Sequence, residues 1–218
     1  MKILLISSSP RGEKGVTYTL AAELLKGAAS AGAETEVVHL AGKKLGFCHG
    51  CEICHKGTMT CHIKDDAHLI ILKMLNADGI VFATPNYINQ VAAPMKTLFD
   101  RTSNIIHCQR LLGKYTAGVV SSGSGMNQPV TDYIAYYGRL CGAQSSGGVS
   151  CGAVPKPEEL KAAYDLGVKL AGDIKEKRQY PEQVTQIENR RRYFAETVKR
   201  RKDAWDGEYR YYVSKGWL

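Results

Sequence analysis

Lys2-Ile3-Leu4-Leu5-Ile6-Ser7, followed at once by Ser8-Ser9-Pro10-Arg11-Gly12-Glu13-Lys14-Gly15-Val16-Thr17, is the stretch on which the fold turns. Four apolar residues in a row, with no polar alternation, mark a strand buried on both faces of a parallel sheet. After the polar stretch, Ala21, Leu24, Leu25 and Ala28 fall at i, i+3, i+4 and i+7, one face of a helix that Gly32 ends. Glu36 to Leu40 is a second strand. The alternation then continues. Asp65-Asp66 precedes a helix carrying Ala67, Ile70, Ile71, Met74 and Leu75, and Gly79 to Thr84 is a strand broken by Pro85-Asn86-Tyr87. A helix from about 92 to 106, a strand at 115–120, a helix near 130–140, a strand near 145–150 and a helix from 156 to about 177 follow. Five strands alternating with helices predict an α/β protein with a doubly wound five-stranded parallel sheet.

The 218 residues suffice for one domain with an appendage, and 44% apolar with 23% charged residues excludes wholesale disorder, collagen and coiled-coil architectures. No window approaches 18 uninterrupted apolar residues and the first apolar run is too short for a signal peptide, so the expectation is a cytoplasmic protein without membrane contact. The formal charge of +8 is moderate, and no nucleic-acid motif accompanies it. Composition shifts near Tyr180-Pro181. Residues 1–178 are read as the α/β domain, with a cysteine-bearing insert at 46–64, and 179–218 as a basic, aromatic C-terminal extension. That extension holds eight of the 18 aromatic residues, including Trp205 and Trp217, and is expected to pack on its own domain, on a partner subunit or over a ligand.

In such a sheet ligands bind outside the carboxyl ends of the strands. The first loop offers hydroxyls, Arg11 and a helix N-terminus suited to a phosphate, but it is neither Walker A nor GxGxxG. The third, Pro85-Asn86-Tyr87-Ile88-Asn89-Gln90, offers an aromatic ring and side-chain amides for a planar ring. The fourth, Ser121-Ser122-Gly123-Ser124-Gly125, lets backbone N–H groups approach a ligand. Each alone is also an ordinary turn.

Cys48-x2-Cys51-x2-Cys54-x6-Cys61 is the sharpest motif. Four soft thiolates in one short loop suit a cubane [4Fe–4S] cluster or a tetrahedral zinc, and three successive cysteines at spacing three favour the cluster over paired zinc knuckles. His49, His55 and His62 stand beside these cysteines as substitute zinc ligands, and thiols without metal are the third reading. Phe47 and Ile53 are expected to give apolar cover. Cys108, Cys141 and Cys151 read as buried small hydrophobes. Asp65 and Asp66 read as a helix N-terminus, and Lys96, Asp100 and Arg101 as i, i+4 and neighbouring ion pairs.

Ser8-Ser9-Pro10-Arg11, the cysteine run, Asp65-Asp66, Ala77-Asp78-Gly79-Ile80, Thr84-Pro85-Asn86-Tyr87 and Ala93 to Arg101 together resemble the iron–sulfur flavoproteins of the NADPH-dependent FMN reductase superfamily. The resemblance covers about residues 1–178 and implies a flavodoxin-like fold, FMN, one [4Fe–4S] cluster and assembly as a homodimer or homotetramer. By that resemblance Ser9, Arg11 and Thr17 hold the FMN phosphate, with Val16 and Tyr18 adding backbone or packing contacts. Pro85, Asn86, Tyr87 and Ile88 lie along the flavin ring, and Ser121, Ser122, Gly123, Ser124 and Gly125 flank its other edge. Cys48, Cys51, Cys54 and Cys61 ligate the cluster. The first loop is one residue longer than the family's pattern, and the extension lies outside it. The implied activity is a flavin-dependent oxidoreductase that passes electrons from a low-potential donor such as ferredoxin, through cluster and FMN, to a small-molecule acceptor. The rival readings are an NAD(P)H-dependent FMN or quinone reductase without the cluster, and a nucleic-acid-associated module using the basic extension.

Overall fold

A run of apolar side chains can be buried only if both of its faces are covered, and in β1 (Lys2–Ser7) they are: Ile3, Leu4, Leu5 and Ile6 have no solvent exposure. The computed structural model describes residues 1–57 and 61–218; residues 58–60 of the cysteine-bearing insert lie outside the described residues. After β1 come α1 (Val16–Ser30), β2 (Glu34–His39), α2 (Ile53–Lys56), α3 (Ala67–Asn76), β3 (Gly79–Tyr87) and the two-residue β4 (Gln90–Val91). Then follow α4 (Ala93–Asp100), α5 (Ser103–His107), β5 (Tyr115–Ser121), α6 (Gln128–Leu140), β6 (Gln144–Cys151), α7 (Pro157–Glu176), α8 (Pro181–Arg200) and α9 (Asp206–Ser214).

Five strands run parallel in the order β2-β1-β3-β5-β6, with β4 pairing antiparallel to the end of β3. The pleat sends Ile3 and Leu5 to Leu24 and Leu170 on one face, and Leu4 and Ile6 to Met74, Met95 and Phe99 on the other. Chain direction around the sheet reverses between β1 and β3, which opens a crevice outside their carboxyl ends.

Two predicted elements are corrected. The third strand does not stop at Thr84 but runs through Pro85 to Tyr87, because Thr84 Oγ1 accepts the Ala92 N–H (2.9 Å) and folds the chain back as β4. The predicted helix over 92–106 is two helices, α4 and α5. The Thr102 hydroxyl donates to the Phe99 carbonyl (2.6 Å) and meets the Tyr137 hydroxyl (2.8 Å), breaking the helix at Arg101-Thr102.

The extension packs on its own chain. Gln183 pairs with both backbone groups of Ser145 (2.7 and 3.0 Å), covering edge strand β6, and Phe194, Val198, Trp205 and Tyr212 form a third apolar cluster with Cys108. Cys108, Cys141 and Cys151 are buried and free. Among the described residues no helix is long and apolar enough to cross a membrane.

Helices α1 and α7 cross at glycine. A Cβ at Gly167 would lie 1.9 Å from the Leu24 carbonyl oxygen, whereas one at Gly172, in the same helix, meets nothing within 4 Å. Gly167→Ala is therefore expected to cost about 1–3 kcal/mol by forcing the helices apart. Gly172→Ala should stabilise by about 0.5–1 kcal/mol through helix propensity. Chemical denaturation of the two variants checks the pair.

Candidate functional site

At the crevice, the loop after β1 is tight at Gly15, where a Cβ would meet Ser9 Oγ at 2.2 Å. Gly15 is the N-cap of α1 and no side chain caps that helix, so its first N–H groups and the dipole face the crevice. Thr17 Oγ1 lies 2.7 Å from Ser121 Oγ, tying this loop to the one after β5. The result is a cleft of about 290 Å³ lined by Ser9, Arg11, Val16, Thr17, Pro85, Asn86, Tyr87, Ser121, Ser122 and Gly123, all expected from sequence. Pro10, Gly15, Gly152 and Ala153 also line it and were missed. Gly152 and Ala153 follow β6, the last strand of the same carboxyl edge, and that position was the signal available.

Four expected residues stand elsewhere. Tyr18 turns from the cleft onto His39 (centroids 5.1 Å apart), Ile88 is almost wholly exposed, and Ser124 and Gly125 are exposed outside the lining. The Gly125 carbonyl instead accepts from Asn86 Nδ2 (3.3 Å), as do Met126 O (3.1 Å) and Asn127 Oδ1 (3.3 Å). Three acceptors fix that amide's orientation and leave Asn86 Oδ1 buried without a partner at the cleft wall. An orphaned acceptor beside an uncapped helix N-terminus fits a ligand with a ring N–H at one end and a phosphate at the other.

The four motif cysteines line one cavity of about 270 Å³, together with His55, Arg101, His107 and Trp205. Their sulfurs are met by donors: the Gly50 N–H reaches Cys48 Sγ (3.5 Å), His62 Nδ1 stands 3.4 Å from Cys51 Sγ, and Arg101 Nη2 donates to Cys61 Sγ (3.3 Å). Burial opposes charge on His55, but hydrogen bonds to Cys54 and Glu208 outweigh it and raise the imidazole from 6.5 to about 9. Phe47 is exposed and stands outside the lining, so it does not give the apolar cover expected of it, whereas Ile53, though partly exposed, lines the cavity beside the cysteines as expected.

Further cover comes from the extension. Trp205 lies against His55 (4.5 Å between centroids) and donates through Nε1 to Glu52 Oε2 (3.0 Å), which Arg201 also holds (2.5 Å). Glu208 is wholly buried. It accepts from His55 Nδ1 (2.5 Å), His107 Nδ1 (3.1 Å) and Asn104 Nδ2 (3.1 Å). Burial works against its charge, yet the two histidines hold the carboxyl below the usual range. A Cβ at Gly207 would strike the Lys56–Gly57 backbone at 2.6 Å, so α9 sits directly on α2. Among the described residues, none of the extension lines the first cleft. Glu208, His107, Trp205 and Arg101 escaped sequence reading because they lie up to 153 positions from the residues they hold and follow no spacing.

A parallel sheet of this order with its cleft at the switch point defines a flavodoxin-like α/β protein. The family model described as NADPH-dependent FMN reductase matches residues 1–150. An iron-sulfur flavoprotein of Methanocaldococcus jannaschii is 34% identical over 192 residues, 80% of this chain and 98% of that protein. Among solved structures, a flavone reductase superposes with a TM-score of 0.65 at 22% identity, over 83% of this chain and 66% of that one. A WrbA-like flavodoxin of Agrobacterium tumefaciens does so with 0.57 at 14%, over 81% and 98%. The chain belongs to the NADPH-dependent FMN reductase family and, within it, to the iron-sulfur flavoproteins. It is a flavin-dependent oxidoreductase.

Truncating Glu208 to Ala leaves two imidazoles and an amide facing an empty buried space. A loss of about 3–5 kcal/mol is expected, read by denaturant unfolding, with a change in Trp205 fluorescence marking release of α9 from the cysteine loop.

Proposed function

We propose that the protein passes electrons between a [4Fe–4S] cluster on Cys48, Cys51, Cys54 and Cys61 and FMN in the cleft of the first, third and fourth loops, and so reduces a small acceptor. The observation that carries this reading is the spread of the sulfurs around one cavity. All four motif cysteines line that cavity together. Three successive cysteines at spacing three suit a four-iron cluster better than the paired knuckles of a structural zinc site.

When bound, the cluster supplies one-electron chemistry and FMN couples it to two-electron reduction. The chain's own part is to bind and orient. Ser9, Arg11, Val16, Thr17 and the α1 N-terminus receive the phosphate; Pro85, Asn86 and Tyr87 hold one edge of the ring, and Ser121 to Gly123 the other. Tyr18, Ile88, Ser124 and Gly125 retain at most a supporting part. Residues 1–178 form the flavin-binding body, and 179–218 clasp its cysteine insert.

Two surfaces support the expected partners. Phe47, Tyr87, Ile88 and Met126 are exposed large apolar residues from loops around the cleft and the cysteine insert, which suits a second copy of this chain in a homodimer or homotetramer. Lys199, Arg200 and Lys202 are exposed beside Arg201, which reaches the cysteine loop through Glu52, and a basic rim there suits an acidic electron carrier such as ferredoxin. Seven free cysteines fit a reducing cytoplasm.

Anaerobic protein is expected to carry one FMN and about four irons with matching acid-labile sulfide per chain. Cys51→Ser should lose the iron and keep the FMN. Flavin alone, with zinc or no metal in protein never exposed to air, would replace this reading with an NAD(P)H-dependent FMN or quinone reductase. Electron uptake from a reduced ferredoxin should slow as salt rises and should slow further in a Lys199→Glu/Lys202→Glu variant; a rate indifferent to both removes the acidic carrier.

A further inference from the structure

Arg101 is placed by its sequence neighbours as a surface partner of Lys96 and Asp100, and the structure puts it somewhere else. Lys96 and Asp100 pair with each other at 2.5 Å on the surface. Arg101, at the break between α4 and α5, is only 8% exposed and turns inward to the cysteine insert. Its guanidinium forks onto Asp65, Nη1 to Oδ2 at 2.7 Å and Nη2 to Oδ1 at 3.2 Å, and Nη1 also donates to the Gly46 carbonyl at 2.8 Å. Nη2 reaches the Ile63 carbonyl (3.4 Å) and Cys61 Sγ (3.3 Å). Asp65 is fixed from behind by the Gly46 and Ala67 N–H groups at 2.7 and 3.1 Å. Arg101 Nε is buried with no partner, and the residue lines the same cavity as the four cysteines.

This is a poor way to build a purely structural ion pair. A buried cation is costly, and replacing such a pair with apolar residues of similar volume is often neutral or stabilising. What distinguishes the arrangement is its direction. The pair is a dipole whose positive end faces Cys61, held by four acceptors that leave the guanidinium little freedom to move. Arginine stays charged at every working pH, so this positive end is permanent.

We propose that Arg101, oriented by Asp65, is a positioning residue of the cysteine centre that raises its reduction potential by placing a fixed N–H donor and positive charge on the Cys61 sulfur. The inference rests on the cluster reading above. One electron added to the centre adds one negative charge beside Cys61 and breaks no bond. The guanidinium favours that charge, as hydrogen bonds to ligand sulfurs and nearby charge do in iron–sulfur centres generally. Asp65 acts in two opposed ways: it holds the donor in place, and its own charge partly offsets the cation.

The test is a dye-mediated anaerobic titration of the centre, followed by electron paramagnetic resonance, on full-length protein carrying both cofactors, with iron and sulfide measured on the same samples. Arg101→Gln removes charge and directed donor and leaves Asp65 unopposed. It is expected to lower the ratio of reduced to oxidised centre at fixed potential at least tenfold, which is about 59 mV for a one-electron couple. Asp65→Asn keeps Arg101 with its Gly46 and Ile63 acceptors and should shift the ratio at least threefold the other way. Arg101→Lys, with the charge but not the fork, should fall between wild type and Arg101→Gln. A residue that merely held the loop together would lose iron without producing shifts of opposite sign. If the variants keep their iron and the ratio stays within twofold of wild type, or if both shift it in one direction, the inference is overturned while the cluster reading stands. If wild type holds FMN but no iron, the cluster reading falls and takes this inference with it. Should Arg101→Gln fail to fold, Asp65→Asn decides alone: an unchanged ratio overturns, a rise supports.

Discussion

Ile3, Leu4, Leu5 and Ile6 must all leave water, and a strand with two apolar faces can do so only in the interior of a sheet with helices on both sides. Most of the molecule follows from meeting that demand. Parallel neighbours need crossover helices, the crossovers are right-handed, and every loop that returns from a strand's carboxyl end therefore collects on one edge. The cleft is where four of those loops meet. Its chemistry comes from backbone as much as from side chains: an uncapped helix N-terminus, a glycine that permits close approach to Ser9, and an asparagine whose oxygen is left without a partner because three carbonyl-type oxygens claim its nitrogen.

The cysteine insert poses the opposite problem. It brings four thiols, three histidines and little apolar weight, with Phe47 turned to solvent and Ile53 only partly covered. Such a segment cannot fold around its own core. Its shape is imposed from three directions, by Asp65 and Arg101 at its exit, by Glu208 through His55, and by Trp205 and Arg201 through Glu52. Arg101 with Asp65 and His55 with Glu208 are charged groups buried at a cost that specific partners meet, while the Arg201–Glu52 pair stays at the surface and only Trp205 beside it is buried.

How much of this the sequence disclosed follows from the same division. Periodicity carries the sheet and its helices because burial repeats every two or about 3.6 residues, and the loops at the strand ends follow from topology. Hence ten of the cleft's lining residues were legible from sequence, from Ser9 to Gly123. The cysteines were legible because ligand spacing is local. What failed was whatever depends on one side chain meeting another far along the chain. Thr102 broke a helix that its apolar pattern predicted as continuous, since a hydroxyl bond to Phe99 and Tyr137 is invisible to periodicity. Arg101 looked like a surface ion pair because Lys96 and Asp100 stand at helical spacing from one another, and a helix end one residue later redirected it. Tyr18 and Ile88 sit next to lining residues, but the rotation of helix α1 at Tyr18 and a left-handed turn at Ile88 point them away.

The extension shows most clearly what composition alone leaves open. Its charge suggested a nucleic-acid surface, and its aromatic content suggested packing on its own domain, on a partner subunit or over a ligand, of which the first is what the chain adopts. The two contents do separate work. Gln183 and Ile187 fasten the first turns of α8 to β6 and Gln109, while Phe194, Val198, Trp205 and Tyr212 bury against Cys108 and the histidines. Helix α9 holds Glu208 where three donors meet it. A carboxylate with no solvent exposure cannot enter that site by itself, because the desolvation cost of a lone charge exceeds what a single hydrogen bond returns. It enters as part of a helix whose apolar side is already being buried, which is why the aromatic residues and the one buried acid of the extension belong to one device. That device closes on one side of the cysteine loop, at His55 and Glu52, and leaves the cleft open, while Cys48 and Cys51 on the other side stay exposed.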